Sequence, residues 1–82
     1  MCRNITTLRG LEPPATGEEI EAAARQFVRK ISGIREPSAR TEERFEEAVA
    51  QITAVSSALL AELPPRRQPP TTVPPLRRLA AR

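Results

Sequence analysis

Arg29-Lys30-Ile31-Ser32-Gly33-Ile34-Arg35-Glu36-Pro37-Ser38 decides how the rest of the chain reads, because it ends one amphipathic segment and opens another. Gly33 can close a helix in the left-handed conformation, and Pro37 followed by Ser38 can start the next one. Two helices joined by so short a corner run back along each other. The stretch therefore predicts an all-α helical hairpin of two antiparallel helices.

Upstream, Thr16-Gly17-Glu18-Glu19 has the form of a capping box: the Thr16 hydroxyl accepts from the Glu19 amide and the Glu19 carboxylate reaches back to Thr16. Ile20, Ala23, Ala24, Phe27 and Ile31 follow at helical spacing, with Glu18, Glu21, Arg25, Arg29 and Lys30 around the remaining face. Glu21 and Arg25 are spaced for an i,i+4 pair, and a Schellman ending at Gly33 would fold Ile34 back on Val28 or Arg29. Downstream, Ser38 or Thr41 caps the second helix, Glu42, Glu43, Glu46 and Glu47 crowd its first turns, and Pro64-Pro65 stops it. Its stripe is Phe45, Ala48, Val49, Ile52, Val55, Ser56, Leu59 and Leu63. At 1.5 Å per residue it spans roughly 36 Å against roughly 24 Å for the first, so it carries an overhang.

From Ala48 to Ala61 no residue is charged, although a surface helix ordinarily turns a charged stripe to water. A second face of Ala50, Thr53, Ala54, Ser57, Ala58 and Ala61 is small and smooth enough for close helix packing. Either the N-terminal arm covers it, or it is a surface for self-association or a protein partner.

The two ends read differently from the hairpin at 16–63. Residues 1–15 form an arm in which Ile5, Leu8 and Leu11 suit either one helical turn or an extended strap over the hairpin. Residues 64–82 form a proline-arginine tail with Pro-Pro recurring at 64, 69 and 74, the pattern of a disordered, polyproline-like end. Residues 1–63 carry eight Lys and Arg against all ten acids, whereas the tail carries five Arg and no acid. The basic character of the chain therefore belongs to its tail, which suits an aromatic groove, phosphate or nucleic acid.

Composition excludes several chemistries within one chain. With no His and no Tyr, no serine or cysteine triad of the usual kind assembles, and one Cys without His makes no ordinary structural zinc site. Gly10, Gly17 and Gly33 are isolated, so no glycine-rich phosphate loop exists, and no cofactor is expected. A single Cys points to a reducing compartment, with the cytoplasm as the expectation, and neither a secretory leader nor a membrane span is read. Two local chemistries stay open. Removal of Met1 would leave Cys2 as an N-terminal aminothiol able to bind a soft metal or act as a nucleophile, with Arg3 favouring the thiolate. At the hinge, Arg29, Lys30, Ser32, Arg35 and Ser38 gather cations and hydroxyls that could hold an anion, or serve only as caps and dipole partners.

The opening Met1-Cys2-Arg3-Asn4-Ile5-Thr6-Thr7-Leu8, the Glu12-Pro13-Pro14-Ala15-Thr16 entry with Glu18, Glu19 and Ile20, and the Val28 to Gly33 corner resemble a small bacterial family known as domain of unknown function 2277. Pro37, Ser38, Phe45, Ala48 and Val49 extend the likeness, which spans about residues 1–60 and is weakest in the tail. The resemblance implies no activity, ligand or catalytic residue. The residues themselves favour a non-enzymatic protein-interaction module, dimeric or bound to another protein, using the uncharged face of the second helix. Nucleic-acid or anion association through the hinge and tail is the alternative, and Cys2 metal or nucleophile chemistry is a third.

Overall fold

Thr16 opens the first helix through the four-residue box its sequence spells. Its hydroxyl accepts from the Glu19 N–H at 3.1 Å, and the Glu19 carboxylate accepts from the Thr16 N–H at 2.9 Å. The computed structural model describes residues 5–66, 69–70 and 72–80. Among these the elements are α1 (Gly17–Ser32), α2 (Glu42–Glu62) and α3 (Pro75–Ala80), with no strand. The expected all-α hairpin is present, α1 lying against α2.

At the corner Gly33 takes φ 73°, and its N–H closes the helix on the Arg29 carbonyl at 2.9 Å. This is the simple left-handed ending rather than the expected Schellman motif. The Ile34 N–H is diverted to the Ser32 hydroxyl at 3.1 Å, while the Ile34 side chain still packs on the core. At the start of α2 neither hydroxyl caps a helix amide. The Ser38 carbonyl accepts from the Thr41 and Glu42 N–H groups, and Thr41 Oγ1 accepts from the Ser38 N–H, so one tight turn feeds the helix.

The core is Ala24, Val28, Phe45 and Val49, with Ile34, Ala48 and Ile52 packed around it. Leu11 and Ile20 are buried as well. The expected α1 stripe is thus corrected: the row Ile20, Ala24, Val28 turns inward, while Phe27 and Ile31 remain 45% and 69% exposed. Rows spaced by four are the ridges that seat in a facing helix, and small Ala24 leaves room beside the bulky Phe45. On α2 the same selection buries Phe45 and Val49 and leaves Val55 71% and Leu59 56% exposed.

Among the described residues of the arm, Ile5 to Leu8 are not helical and lead to a turn at Arg9-Gly10. There the Arg9 guanidinium donates twice to the Pro64 carbonyl, at 2.9 and 2.7 Å, tying the arm to the end of α2. The described residues of the tail include the short α3. Pro75 starts α3 in the position where its missing N–H costs nothing, the Pro74 carbonyl accepts from the Arg77 and Arg78 N–H groups, and Pro74 is buried. Arg77 of α3 meets a partner on α1, described below. Residues 67, 68, 71, 81 and 82 of the tail, and Cys2 with its possible chemistry, lie outside the described residues.

Candidate functional site

The hinge places its five candidate residues in two groups. Arg29, Lys30 and Arg35 line an open concavity with Gln26, Gly33, Ile34 and Glu36. Ser32 and Ser38 do not join them: the Ser32 hydroxyl donates to the Val28 carbonyl at 2.7 Å, and Ser38 is committed to the turn before α2. Arg29 Nε donates to the Arg35 carbonyl at 3.2 Å, and Glu36 brings a carboxylate to the rim. The concavity also sits at the C-terminal, negative end of α1, which Arg29 and Lys30 offset. Of the three cations, Arg29 is tied to the loop by its hydrogen bond to the Arg35 carbonyl.

The six small residues of α2 also divide. Ser57 and Ala61 line a groove of about 360 Å³ together with Leu8, Gly10, Leu11 and Pro14 of the arm, whereas Ala50, Ala54 and Ala58 are exposed. Thr53 spends its hydroxyl on the Val49 carbonyl at 2.7 Å. The arm therefore reaches only the C-terminal end of this face.

On the opposite flank of α2 lies a surface that periodicity assigned to the core. Ile5, Ala23, Phe27, Ile52, Ser56 and Leu59 line a mostly apolar groove of about 320 Å³, and Val55 stands exposed on the same flank of the helix. The only charges bounding this edge along α2 are Arg44 and Glu62, both exposed and, among the described residues, without an ion pair. They are 18 positions apart, about five helical turns, and so lie on one line.

Among the described residues two ion pairs join elements distant in sequence. Arg25 is not held by Glu21, as the local spacing suggested, but reaches across the hairpin to Glu46, with Nη1–Oε2 at 2.7 Å and Nη2–Oε1 at 2.8 Å. Its guanidinium lies 5.8 Å from the Phe45 ring centroid. The hydrogen bonds from Arg25 hold the Glu46 carboxyl below its ordinary pKa, and those to Glu46 raise that of Arg25.

Glu19 carries the second pair. Arg77 Nε donates to Glu19 Oε2 at 2.6 Å, and Arg77 Nη2 donates to Glu19 Oε1 at 3.1 Å and to the carbonyls of Pro13 and Pro14 at 2.6 and 3.2 Å. Glu19 is 6% exposed. The Arg77 hydrogen bonds, foremost, hold its carboxyl below the ordinary value against the opposing cost of burial, and the Thr16 N–H adds to them. Sequence reasoning assigned Glu19 to the cap alone. A buried carboxylate with an oxygen to spare is the signal, and it appears only once burial is known.

No three His, Cys, Asp or Glu side chains converge on a possible metal position among the described residues, and no helix there is long and apolar enough to cross a membrane. A family model described as "Uncharacterized conserved protein (DUF2277)" matches residues 1–82, tail included, beyond the first 60 or so residues that carried the resemblance. No curated protein and no solved structure matches the chain.

Proposed function

The chain belongs to this uncharacterised conserved family, whose description assigns no activity, and we propose that it is a non-enzymatic protein-interaction module whose first partner is a second copy of itself. The observation that carries the reading is the apolar edge of α2, with Val55 and Leu59 71% and 56% exposed and a single charge of opposite sign at each end. An antiparallel second α2, with its two-fold axis between Ile52 and Val55, sets Ile52 against Val55 of the second copy and small Ala48 against the second copy's Leu59. One residue off this register, Arg44 comes within reach of the second copy's Glu62, and symmetry repeats every contact. Charge complementarity thus selects both the partner and its direction. Phe27 and Ile5 extend the apolar contact on either side of the groove. Burying such residues is worth about 1.5–3 kcal/mol per large side chain, whereas the exposed ion pairs contribute less and set register.

Sedimentation velocity on the full chain tests this. The expected result is a dimer at tens of micromolar that Val55→Glu or Leu59→Glu converts to monomer, with helicity retained by circular dichroism because both positions face solvent in the single chain. Arg44→Glu and Glu62→Arg should each weaken the dimer, on the order of tenfold, and the double reversal should restore it. A monomer at every accessible concentration overturns the reading. Loss of association from Ala54→Glu or Ala58→Glu, with Val55→Glu tolerated, would move the surface to the alanine face.

A further inference from the structure

The C-terminal segment is gripped chiefly through two positions. Pro74 is buried, and Arg77 enters a cage made only of acceptors: both Glu19 carboxylate oxygens and the carbonyls of Pro13 and Pro14. The neighbouring apolar side chains are less enclosed, with Val73, Leu76 and Leu79 42%, 40% and 64% exposed. The cage is built from the body alone. The Thr16 N–H holds Glu19 Oε1 at 2.9 Å through the helix cap, so the carboxylate keeps its place whether or not a guanidinium is present. A planar fork satisfies these acceptors together, which the point charge of a lysine cannot do. Beside the cage, Thr6, Leu8, Ala22, Ala23 and Gln26 form a groove against which Pro74, Pro75 and Leu76 lie.

A fixed receptor and a ligand held by one proline and one arginine three residues on make a recognition site rather than a core contact. We propose that the Glu19–Pro13–Pro14 cage and its groove bind a Pro-Pro-x-Arg peptide segment, that residues 74–77 are its ligand in cis, and that the same motif supplied in trans exchanges with them. A segment with so little buried apolar surface opens at lower cost than the hairpin, so exchange does not require unfolding. The site does not rest on the dimer reading, which uses Ile5, Phe27 and the exposed flank of α2, although Thr6, Leu8 and Ala23 border both grooves.

The test is fluorescence anisotropy of a labelled peptide, Thr-Val-Pro-Pro-Leu-Arg-Arg-Leu, matching residues 72–79, against the full chain and its Arg77→Ala variant. If the cis tail fills the site about nine-tenths of the time, emptying it tightens peptide binding about tenfold. The expected result is that Arg77→Ala binds the peptide about tenfold more tightly than wild type. A peptide carrying lysine at the Arg77 position, or Glu19→Gln in the Arg77→Ala background, should lose most of that affinity. Equal affinity of the two proteins, or equal binding of the lysine peptide, overturns the proposal. Should Arg77→Ala lose helicity, the Arg77 Nε–H resonance of wild type gives the answer: excess peptide must move it toward a solvent-exposed position, and an unmoved resonance at saturation overturns the proposal equally.

Discussion

Gly33 and Gly10 both take positive φ, 73° and 86°, yet a methyl group at each meets different surroundings. At Gly33 an added Cβ meets nothing within 4 Å, so Gly33→Ala should cost only the left-handed backbone penalty, about 1–2 kcal/mol, in urea denaturation. At Gly10 the same atom falls 2.9 Å from Arg66 Cβ, so Gly10→Ala should cost more and part the arm from the start of the tail. Glu19 gives a pH dependence of definite sign. Its folded pKa lies below the value of an ordinary glutamate, about 4.3, so its contribution is whole above that value and is lost as pH falls through the folded pKa. Hydrogen exchange over 74–80 should be flat from pH 7 to 5, after correction for intrinsic rates, and should show tail release at lower pH while the hairpin persists. Release already at pH 6 would mean that another group holds the tail. Legibility at this scale follows sequence distance. Thr16 and Glu19 are three residues apart, and the cap could be read from them, whereas Arg77 is 58 residues from Glu19 and nothing local points to it.

Periodicity in α2 marks Val49 and Val55 as members of one stripe, and the two differ completely once α1 is in place. Val49 is 2% exposed and Val55 71%. Val49→Ala should therefore cost about 2 kcal/mol of hairpin stability, from lost burial and the cavity left behind, whereas Val55→Ala should change the stability of the single chain by less than about 0.5 kcal/mol. Chemical denaturation at low micromolar concentration, below the proposed association, compares them directly, and equal costs would show that Val55 is covered in the monomer. The pair also shows what sequence can and cannot convey about an element. The hinge, the Thr16–Glu19 cap and the existence of both helices were legible because each depends on residues within a few positions. Which part of a broad apolar stripe turns inward depends on the rotation of one helix against the other, which packing sets. Hence Phe27, Ile31, Val55 and Leu59 read as core from spacing alone and stand on the surface in the fold. The same limit explains Arg25, whose local partner Glu21 is a good helix neighbour, yet whose guanidinium finds a two-pronged carboxylate in Glu46 across the hairpin.

Across the whole molecule the arm is the element shared by both proposed sites. Thr6 and Leu8 line the groove that receives Pro74–Leu76 and also the apolar groove with Phe27, Ile52 and Leu59. Ile5, the adjoining residue, is part of the proposed dimer contact, so an arm supported by the tail presents Ile5 in a fixed place. Releasing the tail removes that support from one side, while Leu11, buried, and Arg9, bonded to the Pro64 carbonyl, still anchor the other end of the arm. Arg77→Ala should therefore weaken dimerisation without abolishing it, by a few-fold and no more than about the 1–3 kcal/mol range of ordinary coupling between sites. Coupling is reciprocal for binding equilibria, so dimer formation should in turn favour a filled groove, and the emptied site of Arg77→Ala should bind peptide more tightly in the dimer than in the monomer, by the same factor. Peptide anisotropy at protein concentrations above and below the dimer midpoint reads this factor from one side, and sedimentation of Arg77→Ala against wild type reads it from the other. Equal factors locate the coupling in the arm, and Leu8→Ala should then reduce both together. Sedimentation unchanged by Arg77→Ala would mean that the arm keeps its place without the tail and that the two surfaces act independently.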